Sequence, residues 1–110
     1  MNFFASLFSG SDNQVSADEA VALYKEGHQL VDVREKSEWN SGHARGAIHI
    51  PLGQLENRTN RLHKHTPVLV ICASGMRSRT GAKTLRDKGF QAVSVKGGMS
   101  AWMRAGGSIE

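Results

Sequence analysis

The sequence contains few of the residues that could crosslink a small domain through disulfides or metal ions. Cys72 is the only cysteine among 110 residues, so no disulfide can form within them and no cluster of thiolates can hold a metal ion. The five histidines include no pair at the spacing of metal ligands on a predicted helix. We therefore expect no metal site and no cofactor, and Cys72 is either an inert core residue or a reactive thiol.

Long hydrophobic runs are absent as well. No segment approaches the ~20 apolar residues that a membrane-spanning helix requires. The N-terminal segment lacks the basic leading region and the cleavage pattern of a signal peptide, so we expect no membrane span and a cytoplasmic location. We interpret residues 1–14 as an N-terminal arm that packs on the domain or frays, with a weak interfacial anchor as the alternative. The apolar residues of this arm, which would share one face of a short helix, are Phe3, Phe4, Leu7 and Phe8.

Positive charge is in excess but is not concentrated in one segment. The formal net charge is +4 and the isoelectric point is about 9.6. Basic residues are scattered from Lys25 to Arg104 without a dense run or interleaved aromatic residues, which argues against nucleic-acid binding. A basic rim of this kind fits a small anionic ligand better.

Helix and strand signals alternate along residues 15–110, which we interpret as one domain. Ser16 stands three residues before Glu19 at the start of an apolar periodic run, which predicts a helix start, and Gly27 predicts the helix end. Short strands are predicted at 29–33, 47–50, 68–71 and 92–95, and further helices at 35–40, 52–62, 78–88 and 99–104. Gly89 predicts the end of the helix over 78–88. This order implies an α/β fold with a mainly parallel sheet and helices on both faces.

Cys72 directly follows the most apolar of these strands. Ligands of open α/β sheets bind beyond the carboxyl ends of the strands, so this position favours a functional role. A loop that leads from a strand into a helix can direct successive N–H groups inward, and Gly75 permits the necessary turn. Such a loop, with Arg77 nearby and the positive end of a helix, stabilises a thiolate. A buried structural cysteine is the alternative, which the combination of these features disfavours.

The residues around Cys72 resemble the active loop of the rhodanese homology domain. That loop has the pattern Cys-x-x-Gly-x-Arg-Ser, which is similar to Cys72-Ala73-Ser74-Gly75-Met76-Arg77-Ser78. Three flanking signatures of the family follow in the same order along the chain. They are Asp32-Val33-Arg34-Glu35, then Gly42-His43 through Gly46-Ala47, then Gly97-Gly98-Met99-Ser100-Ala101-Trp102.

The resemblance implies a rhodanese-like fold with about five strands and a sulfurtransferase activity. Cys72 would carry a sulfane sulfur as a persulfide, taken from thiosulfate or a similar small anionic donor. The acceptor would be cyanide, a thiol or the cysteine of a partner protein, because no second cysteine is present to resolve the persulfide. The substrate-binding cradle would consist of Ala73, Ser74, Gly75, Met76, Arg77 and Ser78.

The resemblance also suggests roles for residues outside the cradle. Asp32 and Arg34 would tie the end of a strand to neighbouring loops as structural support, and Arg77 could itself be a structural clamp. His43 would donate to a backbone carbonyl or lie on the surface, and we expect Trp102 in the core. The sequence departs from thiosulfate-tuned members at Ala73 and Ser74, where such members often carry basic residues.

Two other functional classes are open to a chain of this type. Phosphatases and arsenate reductases of a related fold have a loop one residue longer, whose arginine makes a bidentate contact with the oxyanion. Only four residues separate Cys72 from Arg77, so the cradle should suit a single sulfur atom better than a phosphate. Some rhodanese-like domains serve only as interaction modules, but these lack the cysteine that is present here.

Overall fold

A five-stranded sheet in the order β1-β5-β4-β2-β3 forms the centre of the structure, and all of its strand pairs are parallel. The computed structural model describes residues 13–110, so most of the predicted arm over residues 1–14 lies outside the described residues. The strands are β1 (Gln14–Val15), β2 (Gln29–Asp32), β3 (Ile48–His49), β4 (Val68–Ile71) and β5 (Ala92–Val95). The predicted mainly parallel α/β fold is confirmed.

The described residues form five α-helices, of which four lie between successive strands and the last follows β5. They are α1 (Ala17–Lys25), α2 (Lys36–Asn40), α3 (Leu52–Leu55), α4 (Met76–Asp87) and α5 (Gly98–Arg104), and a 3-10 turn covers Thr59–Arg61. Buried residues of α1 and α5 form a core on one face of the sheet. Buried residues of α3 and α4 form a second core on the opposite face. The sheet is therefore covered on both faces, as predicted.

The position of β4 at the centre of the sheet explains why its sequence is an unbroken apolar run. Leu69 and Ile71 belong to the core under α1 and α5, whereas Val68 and Val70 belong to the core under α3 and α4. Successive side chains of a strand point to opposite faces, so a strand that is covered on both faces shows no polar alternation. Cys72 follows this strand directly.

The predicted ends of two helices are confirmed. Ser16 caps α1, because its Oγ accepts a hydrogen bond from the Glu19 backbone N–H at 3.1 Å. At the end of α4, Gly89 takes a φ of +93°, and the N–H of Phe90 donates to the carbonyl of Leu85 at 3.0 Å. This is the backbone bond of a Schellman motif, which satisfies a carbonyl that the helix leaves free.

Two elements differ from the sequence predictions. The helix predicted over 52–62 is divided, because Arg58 leaves the helical region at φ −126° and ψ 25°. Asn57 and Thr59 flank this residue and are weak helix formers, so the leucine spacing alone did not maintain the helix. The two-residue strand β1, which begins one residue before the predicted domain, is too short to show a periodic pattern and forms by pairing with β5.

Residues 13–110 include no helix long and apolar enough to cross a membrane.

The largest fully buried side chain is that of Trp102, which lies in the core between α1, α5 and the sheet. Its indole N–H donates to the carbonyl of Ser108 at 3.3 Å. The expected core position of Trp102 is thus observed, and its polar group has a partner.

We predict that Trp102→Ala lowers the free energy of unfolding by about 3–5 kcal/mol, because it removes the largest buried side chain and leaves a cavity. Met103, the next residue of α5, is 52% exposed, so Met103→Ala should change the free energy by only about 0.5 kcal/mol or less. Urea unfolding followed by circular dichroism measures both values. Equal losses in the two variants would contradict this description of the core.

Candidate active site

The sulfur of Cys72 lies inside the loop that joins β4 to α4. Only 1% of the residue surface is exposed, and its apolar neighbours belong to the core under α3 and α4. The sulfur itself has polar partners on the loop side. Sγ accepts a hydrogen bond from the backbone N–H of Gly75 at 3.0 Å and lies 3.5 Å from Ser78 Oγ. The loop therefore curls around the sulfur.

These hydrogen bonds lower the pKa of the Cys72 thiol. Burial is the largest single influence and raises the pKa, because it disfavours the charged thiolate. The hydrogen bonds from the Ser78 side chain and from the backbone of Ser78, Gly75 and Ser74 act in the opposite direction and together outweigh the burial. The site thus stabilises a negative charge on a sulfur that solvent scarcely reaches.

Gly75 provides the turn that aims these amides. Its φ of +116° lies in the left-handed region, which favours glycine because residues with a Cβ rarely adopt it. A Cβ at this position would also approach the backbone nitrogen of Gly97 at 3.4 Å. The expected role of Gly75 in the turn agrees with its observed conformation.

The Gly97-Gly98 turn packs directly against the cysteine loop. The N–H of Met99 donates to the carbonyl of Cys72 at 2.9 Å. A Cβ on Gly98, whose φ is +58°, would collide with the carbonyls of Ala73 and Cys72. Gly98 therefore allows the start of α5 to approach the backbone of the loop.

A pair of buried serines lies behind the sulfur. Ser78 Oγ is 2.6 Å from Ser94 Oγ on β5 and 3.1 Å from the carbonyl oxygen of Gly75. Both serines are fully buried. Ser94 is not among the residues predicted from the sequence, although a single hydroxyl within the otherwise apolar strand β5 is a signal that could indicate it.

Arg77 is engaged by a carboxylate of α2. Its two terminal nitrogens donate to the two carboxylate oxygens of Glu38 at 2.7 and 2.9 Å. The bond from Arg77 lowers the pKa of Glu38 to about 2, with help from the hydrogen bond of the Glu35 backbone. The same pairing raises the pKa of Arg77, and the nearby charge of Cys72 contributes to that rise. Arg77 thus clamps α2 to the loop while it stays within electrostatic range of the sulfur.

Glu38 was not among the residues singled out from the sequence. It occupies the third position of α2, where its Oε1 accepts the backbone N–H of Glu35 at 3.0 Å. The spacing of Glu35 and Glu38 could have indicated this capping contact. It could not have indicated the ion pair with Arg77, because the two residues are 39 positions apart in the chain.

Asp32 and Arg34 form a buried ion pair at the carboxyl end of β2. Arg34 Nη2 lies 2.8 Å from Asp32 Oδ2 and also donates to the carbonyl of Gly42 at 2.8 Å. The backbone N–H of Arg34 donates to Asp32 Oδ1 at 2.9 Å. The pair connects the end of β2 to the loop that follows α2.

His43 contacts the ring of Trp39 rather than the cysteine. The two rings are stacked with centroids 3.5 Å apart, and His43 Nδ1 lies 3.0 Å from the carbonyl of Trp39. Its Nε2 lies 3.6 Å from a carboxylate oxygen of Glu110. Within residues 13–110, no group of three or more His, Cys, Asp or Glu side chains is placed to hold a metal ion.

The chain is similar in sequence to known proteins. The family model described as "Rhodanese-like domain" matches residues 16–105. The protein named "Putative sulfurtransferase YtwF" from Bacillus subtilis (strain 168) is 42% identical over 89 residues, which cover 81% of this chain and 80% of that protein. The protein named "Putative sulfur carrier protein YrkF" from the same organism is 41% identical over 90 residues, which cover 81% of this chain but only 45% of that protein. The chain therefore matches less than half of the length of YrkF.

A solved structure has the same fold. The crystal structure of a rhodanese-related protein from Thermoplasma volcanium superposes with a TM-score of 0.78 at 28% identity. The match covers 88% of this chain and 96% of that protein. The family model, the related sequences and this shared architecture lead to one conclusion: the chain belongs to the rhodanese-like domain family.

Proposed function

We propose that this domain is a sulfurtransferase in which Cys72 carries a sulfane sulfur between a donor and an acceptor. The observation that carries the proposal is the hydrogen bond from the Gly75 N–H to the Cys72 sulfur, within a loop that lowers the pKa of this thiol. A thiolate is the nucleophilic form of cysteine. The names of the relatives YtwF and YrkF support sulfur chemistry for this family.

In the first step, the Cys72 thiolate attacks the outer sulfur of the donor. With thiosulfate, a bond forms between Sγ and that sulfur, the S–S bond of thiosulfate breaks, and sulfite leaves with the bonding electron pair. The enzyme retains a persulfide whose terminal sulfur is anionic. Preorganised donors such as the Ser74 and Gly75 amides can stabilise that charge as they stabilise the thiolate.

In the second step, an acceptor attacks the terminal sulfur of the persulfide. Cyanide gives thiocyanate, a thiol gives a new persulfide, and in both cases the electron pair of the broken S–S bond returns to Cys72. Since Cys72 is the only cysteine of the sequence, the acceptor must come from outside it. We propose a cytoplasmic location, where thiol acceptors are kept reduced.

Phosphate chemistry fits this site less well. A phosphatase of the related type uses its loop arginine for a bidentate contact with the oxyanion. Here Glu38 already occupies both terminal nitrogens of Arg77. The loop also has only four residues between Cys72 and Arg77.

We expect incubation with thiosulfate, followed by desalting, to increase the intact mass by one sulfur atom, and cyanide to remove that increase as thiocyanate. The variant Cys72→Ser should show neither change, because the serine hydroxyl does not ionise to a nucleophile at this site, whereas the cysteine thiol does. A matched variant, Ser100→Ala on the exposed side of α5, should behave as the wild type. A wild-type protein that acquires no sulfur from any sulfane donor would refute the proposal.

We predict that the rate of Cys72 alkylation by iodoacetamide falls as the pH drops through the lowered pKa of this thiol. Ser78→Ala removes the hydrogen bond that lowers this pKa most, so the titration curve should move to higher pH. Alkylation should then be slower at neutral pH and recover at alkaline pH. Ser100→Ala serves as the control, and an unchanged curve in Ser78→Ala would show that the hydroxyl does not stabilise the thiolate.

We predict no hydrolysis of aryl phosphates such as p-nitrophenyl phosphate, because the loop is short and Arg77 is paired with Glu38. The assay compares the wild type with Cys72→Ser across a range of pH. Hydrolysis that is measurable in the wild type and lost in the variant would contradict this prediction.

A further inference from the structure

The positive charge of Arg77 in the cysteine loop is neutralised by the carboxylate of Glu38. Arg77 is the only charged residue between Cys72 and Ser78 in the sequence. Glu38 accepts both of its terminal N–H groups at 2.7 and 2.9 Å, which is the bidentate geometry of a strong pair. About a third of each side chain is exposed, so the pair lies at the surface end of the loop.

This compensation alters the field that an approaching donor meets. A lone guanidinium would attract a dianion more strongly than a monoanion, because the Coulomb energy is proportional to the charge of the ligand. A carboxylate within 3 Å of the guanidinium cancels much of that field a few ångströms further away. Glu35, whose charge also acts on Arg77, adds to the cancellation.

The neighbouring loop residues do not restore the positive potential. Ala73 and Ser74 are neutral, and Met76, the first residue of α4, is an apolar side chain that is 79% exposed. The donors of the cradle are therefore mainly backbone amides, which stabilise one sulfur-centred charge without a free cation beside them. A second negative charge on the sulfur donor is therefore stabilised only weakly by this arrangement.

We propose that Glu38 determines which sulfur donors the site prefers. By neutralising Arg77, it weakens the preference of Cys72 for dianionic sulfane donors relative to monoanionic donors, in which an organic group replaces one charged oxygen. This inference rests on the proposed function. Thiosulfate represents the first class of donor and methanethiosulfonate the second. The donor class that suits the site is then an organic thiosulfonate or a similar monoanion.

The two probes react by the same step and differ by one charge. Cys72 attacks the terminal sulfur of either donor, and the bond between that sulfur and the oxidised sulfur breaks. The electron pair leaves on sulfite from thiosulfate and on methanesulfinate from methanethiosulfonate. The same persulfide forms in both cases, so the later transfer to an acceptor does not enter the ratio of the two kcat/KM values. The leaving groups are the same in every variant, so a change in this ratio between variants reports on the donor charge.

Glu38→Gln is the variant that separates charge from structure. A glutamine oxygen can still accept the Glu35 N–H, which Glu38 Oε1 accepts at 3.0 Å, so the start of α2 is kept. The guanidinium of Arg77 loses its counter-charge. We expect the ratio of kcat/KM for thiosulfate over methanethiosulfonate to rise about fivefold at low salt and to return toward the wild-type value at high salt.

Asp87→Asn is the matched control. It removes the same charge from the last residue of α4, where Asp87 pairs with Lys83. The helix separates this residue from the loop by about 16 Å, which exceeds the Debye length of ~10 Å at 0.1 M salt. The donor ratio should not change in this variant.

Each outcome supports or overturns the inference. If the role of Glu38 were purely structural, Glu38→Gln would lower kcat/KM for both donors equally. An unchanged donor ratio in a folded Glu38→Gln variant would therefore overturn the inference. If that variant does not fold, the salt dependence of the wild-type ratio decides: a weak dependence supports neutralisation, and a steep fall with added salt overturns it. A wild type that forms no persulfide with either donor would instead refute the proposed function.

Discussion

The hydrogen bond of 3.0 Å between the Gly75 amide and the Cys72 sulfur fixes the curvature of the loop on which the rest of the site depends. It requires the chain to turn within four residues of the end of β4, and Gly75 accomplishes this at a φ of +116°. The same turn starts α4 at Met76 and brings the Ser78 hydroxyl within 3.5 Å of the sulfur. One backbone conformation thus supplies both the amides around the sulfur and the hydroxyl behind it.

The surroundings of this loop are built to accommodate a tight turn. Gly98 lets the start of α5 approach the carbonyls of Cys72 and Ala73, where a Cβ would collide. Ser94 places a hydroxyl inside the otherwise apolar strand β5, which is tolerated because it pairs with Ser78. Among the described residues, no buried side-chain nitrogen or oxygen lacks a hydrogen-bond partner. The polar groups around the sulfur therefore form a satisfied network rather than a defect in the core.

Much of the fold could be predicted because its signals are local. The Ser16 cap, the Gly89 stop and the unbroken run Val68–Ile71 each reflect contacts within one element or burial on both faces of a strand. The predictions were wrong where local signals are weak. Leucine spacing suggested one helix over 52–62, but the chain leaves the helical region at Arg58, and β1 exists only through its pairing with β5.

The position of the proposed nucleophile can be read from local signals, since a cysteine, a glycine and an arginine lie within six residues directly after an unbroken apolar run. The surroundings of these residues depend on contacts between distant parts of the chain. Glu38 reaches Arg77 across 39 positions of sequence, and Ser94 reaches Ser78 across 16. Both contacts form because β2, β4 and β5 are parallel neighbours in the sheet. The residues that follow β2 and β4 meet at one edge of the sheet, and Ser94 within β5 lies beside the start of α4. Pairings of this kind depend on the strand order, and no local pattern in the sequence encodes that order.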